Sequence, residues 1–326
     1  MITTRAPGKV VLWGEYAVLA GAPAAVLAVD RYASCRIDTK VQAGQGQWHV
    51  EARGLTGQPV TAGLQEILDE PASATRVIHH VLKVLLAEAH AKPLPTEASV
   101  ILDTQGFQLS GHKLGIGSSA AICTATCLAC AELMQLQPVF HHALQAHNGL
   151  QGKPGSGIDV AAAWHGGSLR YQDGTAKPLP DLDPTQWQFL WTGSPAQTGT
   201  HIERFRRWLD NGDTAELEVL ATISSQLFEH VGSEELPRKL GDYVKALHAL
   251  DQAANLGIYG SGHQRLSQLA LDWQVVYKPC GAGGGDVGAA ISNDADKLAA
   301  FTDAAVSLGF NKLAITRAEH GVHISS

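Results

Sequence analysis

Two glycines and two serines, Gly115, Gly117, Ser118 and Ser119, stand together in GHKLGIGSSAAICTATCLAC (111–130) and lead straight into a helix-forming tail that starts at Ala120. Glycine has no Cβ and tolerates positive φ, so a turn of this kind can wrap closely around a ligand. The helix behind it aims unpaired N–H groups and the positive end of its dipole back into the turn. Such a turn is an anion cradle, and polyphosphate is its usual tenant. It is not a Walker loop, because G-x-x-x-x-G-K-[ST] is absent from the chain. The serine hydroxyls suit phosphate, and one of them can ligate Mg²⁺; the plainer alternative is a helix N-cap.

Three further groups carry chemistry. Lys9 stands in the Pro-Gly-Lys turn before an apolar strand. It is either a solvated surface charge or a cation placed where phosphoryl transfer develops negative charge. Asp159 follows a Gly-Ser-Gly turn in QGKPGSGIDVAAAWHGG (151–167). It reads as a helix cap or as a general base or orienting acceptor for a substrate hydroxyl. KPCGAGGGDVGAAIS (278–292) supplies a third backbone-rich turn, in which Asp286 is left between metal ligand and cap.

The elements that must position these groups alternate between strands and helices. Strands are expected at Val10–Trp13, at Ala24–Thr39 with a polar interruption at Asp30-Arg31, at Trp48–Arg53 and at Ser99–Asp103. The apolar residues of Thr75–His90 recur with a helical period, and helices are also expected from the glycine turn to Met134 and over Val139–Leu150. Gly167–Tyr171 reads as a strand, and proline-rich KPLPDLDP (177–184) is the best boundary. Beyond it come a strand at Gln188–Trp191 and helices over most of 199–255 and 262–270. Strands at Gln274–Lys278, Gly288–Ser292 and Leu313–Thr316 then frame the third glycine turn and a helix near 295–308. The layout is α+β, divided into 1–176 and 185–326.

Composition narrows the class. A chain of 326 residues can bury a sizeable core, and a net charge of −7 argues against nucleic-acid and acidic-membrane binding. No apolar run reaches bilayer length, and MITTRAPGKV lacks the apolar core of a signal peptide. Cys123, Cys127 and Cys130 fall at the spacing of a buried helical stripe and lack a fourth nearby metal ligand. Reduced thiols in a cytoplasmic protein is the economical reading. The fifteen histidines, including the His79-His80 and His141-His142 pairs, show no metal-binding pattern, so surface or helix-face positions are expected for them.

The three blocks APGKVVLWGEYAVLAG (6–21), GHKLGIGSSAA (111–121) and KPCGAGGGD (278–286), in this order and across almost the whole chain, resemble the GHMP kinases. The resemblance implies an N-terminal half like ribosomal protein S5 domain 2 and a ferredoxin-like C-terminal half. It implies ATP held by Gly115, Gly117, Ser118, Ser119 and Ala120, Mg²⁺ on Ser119, and Lys9 and Asp159 as catalytic residues. Glu15 is left between structural support and substrate contact, and the adenine pocket is placed around 60–90.

Within that family, Ala146-His147 through Val160-Ala161, WTGSPAQTGTHI (191–202) and KPCGAGGGDVGAAI resemble phosphomevalonate kinases more than mevalonate kinases. The implied reaction is ATP-dependent phosphorylation of mevalonate 5-phosphate, in isoprenoid precursor synthesis. The alternatives are a kinase for mevalonate or another small alcohol, and a catalytically silent protein that keeps the fold. An acceptor that already bears phosphate needs cations, for which Lys9, Lys153 and Lys278 are candidates. Ser156 and Gly283 join Lys153 as expected substrate contacts; a solvated loop lysine is the bland reading of Lys153. The mevalonate kinase glutamate that binds Mg²⁺ would fall at Asn148, beside His147. A small-molecule partner, no nucleic acid, no membrane and a monomer or homodimer complete the expectation.

Overall fold

The strands β1 (Ile2–Trp13) and β2 (Ala24–Asp38) form a long antiparallel pair on which the N-terminal sheet is built. The chain is seen here as a computed structural model that describes residues 1–40, 46–55, 57–180, 182, 186–196, 198–212 and 214–325. Pro7 pairs with Tyr32 and Gly8 with Val29, so Asp30 and Arg31 bulge out of the ladder while the strand continues. This explains the polar pair inside an apolar run. The Asp30 carboxylate accepts the Thr316 N–H and hydroxyl, each at 2.8 Å, instead of facing the core.

β3 (Gln47–Arg53), β4 (Val60–Gly63) and β5 (Ala98–Asp103) extend the sheet beyond β2, with β3 and β5 parallel. A short hairpin of β6 (Gln108–Leu109) and β7 (His112–Lys113) leads into the glycine turn. β8 (Ser168–Gln172) pairs with the start of β2, and β9 (Thr175–Pro178) pairs with β8. The second sheet has the order β11 (Val276–Pro279), β12 (Val287–Ile291), β10 (Trp187–Trp191) and β13 (Asn311–Leu313). β14 (His323–Ile324) returns to the outer side of β1 in the first sheet. The boundary expected at 177–184 begins in the last two residues of β9 and runs on towards β10, and its residues 181, 183 and 184 fall outside the described ones.

The helices are α1 (Leu64–Asp69), α2 (Arg76–Leu85), α3 (Ser118–Leu133), α4 (Phe140–Gln151) and α5 (Ile158–His165) in the first half. They are followed by α6 (Thr198–Asp210), α7 (Ala215–Gln226), α8 (Leu236–Ala254), α9 (His263–Asp272) and α10 (Ala295–Ser307). α3 packs against β1, β2, α2, α4 and α5 at once. Alanine, cysteine and threonine on nearly every side let a helix fit into so enclosed a place, and Ala120 through Cys127 are all buried. The cysteine stripe is buried as expected, with thiols free; burial pushes Cys127 up to about 12 and Cys123 and Cys130 well above the ordinary range. α9 and α10 cover the second sheet around Tyr277, Phe301 and Phe310. This is an α+β fold in which both glycine-rich turns meet β1 around Gly8 and Lys9.

Candidate active site

Gly8 is where β1 and the second glycine turn come together. A Cβ there would stand 2.7 Å from the Ile116 carbonyl oxygen, so only glycine permits the approach. The next residue, Lys9, donates its backbone N–H to that same carbonyl at 2.8 Å. Gly117 then turns the chain into α3 with φ +84°, and a Cβ on it would lie 3.1 Å from Lys9 Cγ. The lysine stem therefore runs across Gly117. Its Nζ ends beside the third glycine turn, 3.8 Å from where a Gly281 Cβ would be.

Ser118 and Ser119 are the first residues of α3, and the N-cap is Gly117, which has no side chain. The capping alternative for the serines thus does not describe this helix. Ser119 Oγ lies 3.2 Å from His147 Nε2, and Gln151 Nε2 donates to the same hydroxyl at 3.3 Å. His147 and Gln151 are one turn apart on α4 and share a face. Asp159, in the first turn of α5, brings Oδ2 to 3.9 Å from His147 Nε2, while Oδ1 accepts the Val160 N–H at 2.9 Å. Its side chain is 27% exposed, enough to reach a ligand. Three helix ends thus converge on Ser119, His147 and Asp159, on the turn that Lys9 crosses.

Lys153 and Ser156 sit in the turn between α4 and α5. Lys153 Nζ is 3.4 Å from Glu203 Oε1 on α6, and Arg206 Nη2 donates to the Pro154 carbonyl at 3.2 Å. The Ser156 hydroxyl accepts the Ile158 N–H at 3.4 Å, and its carbonyl accepts the Tyr171 hydroxyl at 2.6 Å. Gly283 is buried at φ +71°, where a Cβ would stand 2.6 Å from the Ile258 carbonyl oxygen. It shapes the third turn from behind. Asp286 in the same turn accepts the Ala196 N–H at 3.0 Å and comes up against Gly115, leaving no room for a Cβ there. Burial raises the Asp286 carboxyl above its ordinary range, against the opposing pull of the Ala196 amide and of Lys9.

Two expectations change. Lys278 is not a cation free to meet a ligand: it is fully enclosed and ion-paired with Glu15, whose carboxylate is itself enclosed and has no reach to a substrate. The histidines are not all peripheral, since His147, His201 and His263 are buried. The family glutamate position, Asn148, turns its Oδ1 to the Gly155 N–H at 3.3 Å. Its neighbour His147 faces Ser119 instead. Nothing local in the sequence marks Arg206 for the site, and the i, i+4 spacing of His147 and Gln151 is the one signal for that pair.

For a cation accompanying a bound nucleotide, the donors fit in part. Ser119 Oγ and Asp159 Oδ2 are oxygens suited to Mg²⁺, whereas the imidazole between them is not. Among the described residues no group of three His, Cys, Asp or Glu side chains could hold a metal. A magnesium ion here would keep several waters and phosphate oxygens in its shell. Among the described residues, too, no helix is long and apolar enough to cross a membrane.

Residues 77–167, which contain α3, α4 and α5, match the GHMP kinases N terminal domain. The phosphomevalonate kinase of Streptomyces sp. (strain CL190) is 28% identical, with 89% of each chain covered. The mevalonate kinase of Pyrococcus abyssi is 26% identical over 87% of each chain. Among solved structures, Streptococcus pneumoniae phosphomevalonate kinase in complex with phosphomevalonate and AMPPNP superposes with a TM-score of 0.78. It is 21% identical, and 98% of this chain and 100% of that one are covered.

Proposed function

We infer that this chain, a GHMP kinase in its N-terminal domain and in its fold, transfers the γ-phosphoryl group of ATP to mevalonate 5-phosphate and so forms mevalonate 5-diphosphate. The observation that carries the reading is that Lys9 lies across Gly117 while Ser119, His147 and Asp159 gather at the first turn of the helix that Gly117 opens. A cation, a phosphate cradle and a carboxylate around one turn are the parts that phosphoryl transfer requires.

In this reading Gly115, Gly117, Ser118, Ser119 and Ala120 cradle the nucleotide phosphates with backbone N–H groups and hydroxyls. The acceptor phosphate is mostly ionised near neutral pH, because its second pKa is about 6. Its oxygen attacks the γ-phosphorus; that O–P bond forms while the bond to the bridging oxygen of ADP breaks. Asp159 has little proton to remove from such a nucleophile and serves to orient the acceptor, while the Lys9 ammonium balances charge on the transferred group. His147 and Gln151 fix the Ser119 hydroxyl. Mg²⁺, when bound with the nucleotide, neutralises phosphate charge, and Ser119 and Asp159 are the residues that would hold it.

The choice of a phosphorylated acceptor is supported by Lys153 and Arg206, two cationic side chains around the 151–157 turn beside Asp159. A second reading, with mevalonate as acceptor, is favoured by the similarity to mevalonate kinases. ADP release with Mg·ATP and either (R)-mevalonate 5-phosphate or (R)-mevalonate separates them. Turnover of the phosphorylated acceptor alone supports the first reading. Turnover of mevalonate alone replaces it with the second, and turnover of neither removes both.

A further inference from the structure

Glu15 and Tyr16 stand outside the catalytic cluster, yet they reach the third glycine turn at two points. Lys278, on the strand that enters that turn, is ion-paired with Glu15 and also directs Nζ to the Val11 carbonyl at 3.5 Å. The second Glu15 oxygen accepts the Tyr243 hydroxyl proton at 2.7 Å, and that hydroxyl accepts the Gly14 N–H at 2.9 Å. At the crest of the turn, the Tyr16 hydroxyl donates to the Ala282 carbonyl at 2.6 Å.

Tyr16 also has φ +61° and ψ −44°, an unfavourable backbone placement for an aromatic residue. Such a placement persists only where surrounding contacts impose it. Here it directs the ring onto Phe205, with centroids 5.0 Å apart, and the hydroxyl onto Ala282. The other anchors of the turn come from elements late in the chain. Ile258 accepts the Gly284 N–H at 2.8 Å, Ser194 accepts the Asp286 N–H at 2.8 Å, and His263 holds the Gly285 carbonyl at 2.7 Å. Glu15 and Tyr16 come instead from the turn just after β1, the strand that carries Lys9.

We propose that Glu15 and Tyr16 are positioning residues for the third glycine turn: Glu15 anchors its entering strand through Lys278, Tyr16 fixes its crest through Ala282, and together they hold Gly281 beside the Lys9 ammonium. One short segment thereby places both the cation and the backbone wall that the cation faces. A wall displaced by about 1 Å would lower turnover without removing any group that touches the reacting atoms. The proposal rests on the reading of Lys9 as the cation at the transferred phosphoryl group.

Tyr16→Phe keeps the ring on Phe205 and deletes only the donor to Ala282. The test is backbone hydrogen exchange of the full chain in the segment 279–286, where the Cys280, Gly284 and Asp286 amides are hydrogen-bonded. It is read beside exchange in the β5 segment 98–103, together with kcat and KM. The expected result is exchange about 5-fold or more faster in 279–286 with 98–103 unchanged, and kcat about 10-fold lower with KM for ATP near wild type. Tyr243→Phe, which frees the Glu15 carboxylate from its second partner, should quicken the same segment. Unchanged exchange in 279–286, or an equal rise in 98–103, would overturn the proposal, because Tyr16 would then be an ordinary packing residue. Exchange requires no acceptor, so it reports on the turn even if mevalonate 5-phosphate proves not to be the substrate. Conversely, an active kinase whose turn ignores Tyr16→Phe would sink the positioning role and leave the proposed reaction standing.

Discussion

His147 Nε2 lies 3.2 Å from Ser119 Oγ, although the two residues are 28 positions apart and on different helices. The imidazole also faces Asp159, so it stands between the hydroxyl assigned to phosphate or Mg²⁺ and the carboxylate assigned to the acceptor. His147→Leu keeps an apolar filler in this buried place and removes both polar contacts. Supporting groups of this kind typically contribute about 10–100-fold. We expect kcat to fall by about that factor in a coupled ADP-release assay, with the far-UV circular dichroism spectrum retained. Wild-type turnover would show that His147 only fills space.

Lys9→Met and Asp159→Asn should each lower kcat by about 10²-fold or more, because each removes a charge assigned to the transferred group or to the acceptor. Nucleotide affinity, measured by titration calorimetry with a non-hydrolysable ATP analogue in the absence of Mg²⁺, should change far less in Asp159→Asn than in Lys9→Met. The Lys9 stem crosses Gly117 in the phosphate turn, whereas Asp159 reaches that turn through His147. Equal losses of affinity in the two variants would contradict that division of labour.

Which parts of this site the sequence discloses follows from how local each signal is. The second glycine turn and α3 are legible because Gly115, Gly117 and the serines adjoin a long run of small residues. α5 is legible only through the cap reading of Asp159, because Val160 through Ala163 are buried on every side and show no polar face. Lys278 reads as a candidate cation for a ligand because its partner, Glu15, lies 263 positions away. A charge in a strand and a charge in a distant turn carry no mark that they pair. His147 escaped for the same reason: the count from Asp159 fell one residue away, and only the facing of α4 on α3 tells Asn148 from His147.

Lys153→Ala should discriminate between acceptors. Among the described residues its ammonium is paired only with the exposed Glu203 carboxylate at 3.4 Å, a contact worth little to stability. The variant should melt near the wild-type temperature while KM for mevalonate 5-phosphate rises about 10-fold, the scale of one charge-assisted hydrogen bond. Initial-rate kinetics over a range of acceptor concentrations measures this. An unchanged KM would return Lys153 to the solvated loop charge that it resembles in sequence. Arg206, which grips the Pro154 carbonyl, would then be the next cation to test.

Acid should destabilise the second half of the molecule through His263. Its Nδ1 lies 2.8 Å from the Tyr277 hydroxyl and its Nε2 2.7 Å from the Gly285 carbonyl. A neutral ring with the proton on Nε2 satisfies both, accepting from Tyr277 and donating to Gly285; this tautomer follows from the two partners. Burial, with Lys278 adding repulsion, lowers the folded imidazole from 6.5 to about 4, against the opposing pull of the Gly285 carbonyl. Between those values the unfolded chain binds a proton that the folded chain does not. Stability from this group is therefore complete above the unfolded value and is lost as pH falls towards 4, by about 3 kcal/mol in all. Asp286, raised by burial, works in the opposite direction, so the quantity to read is the difference between wild type and His263→Gln. Urea unfolding at about pH 7 and about pH 4.5 should show His263→Gln less stable than wild type at the higher pH, with the gap narrowing at the lower one. A gap that stays constant would mean that His263 titrates alike in the folded and unfolded chains.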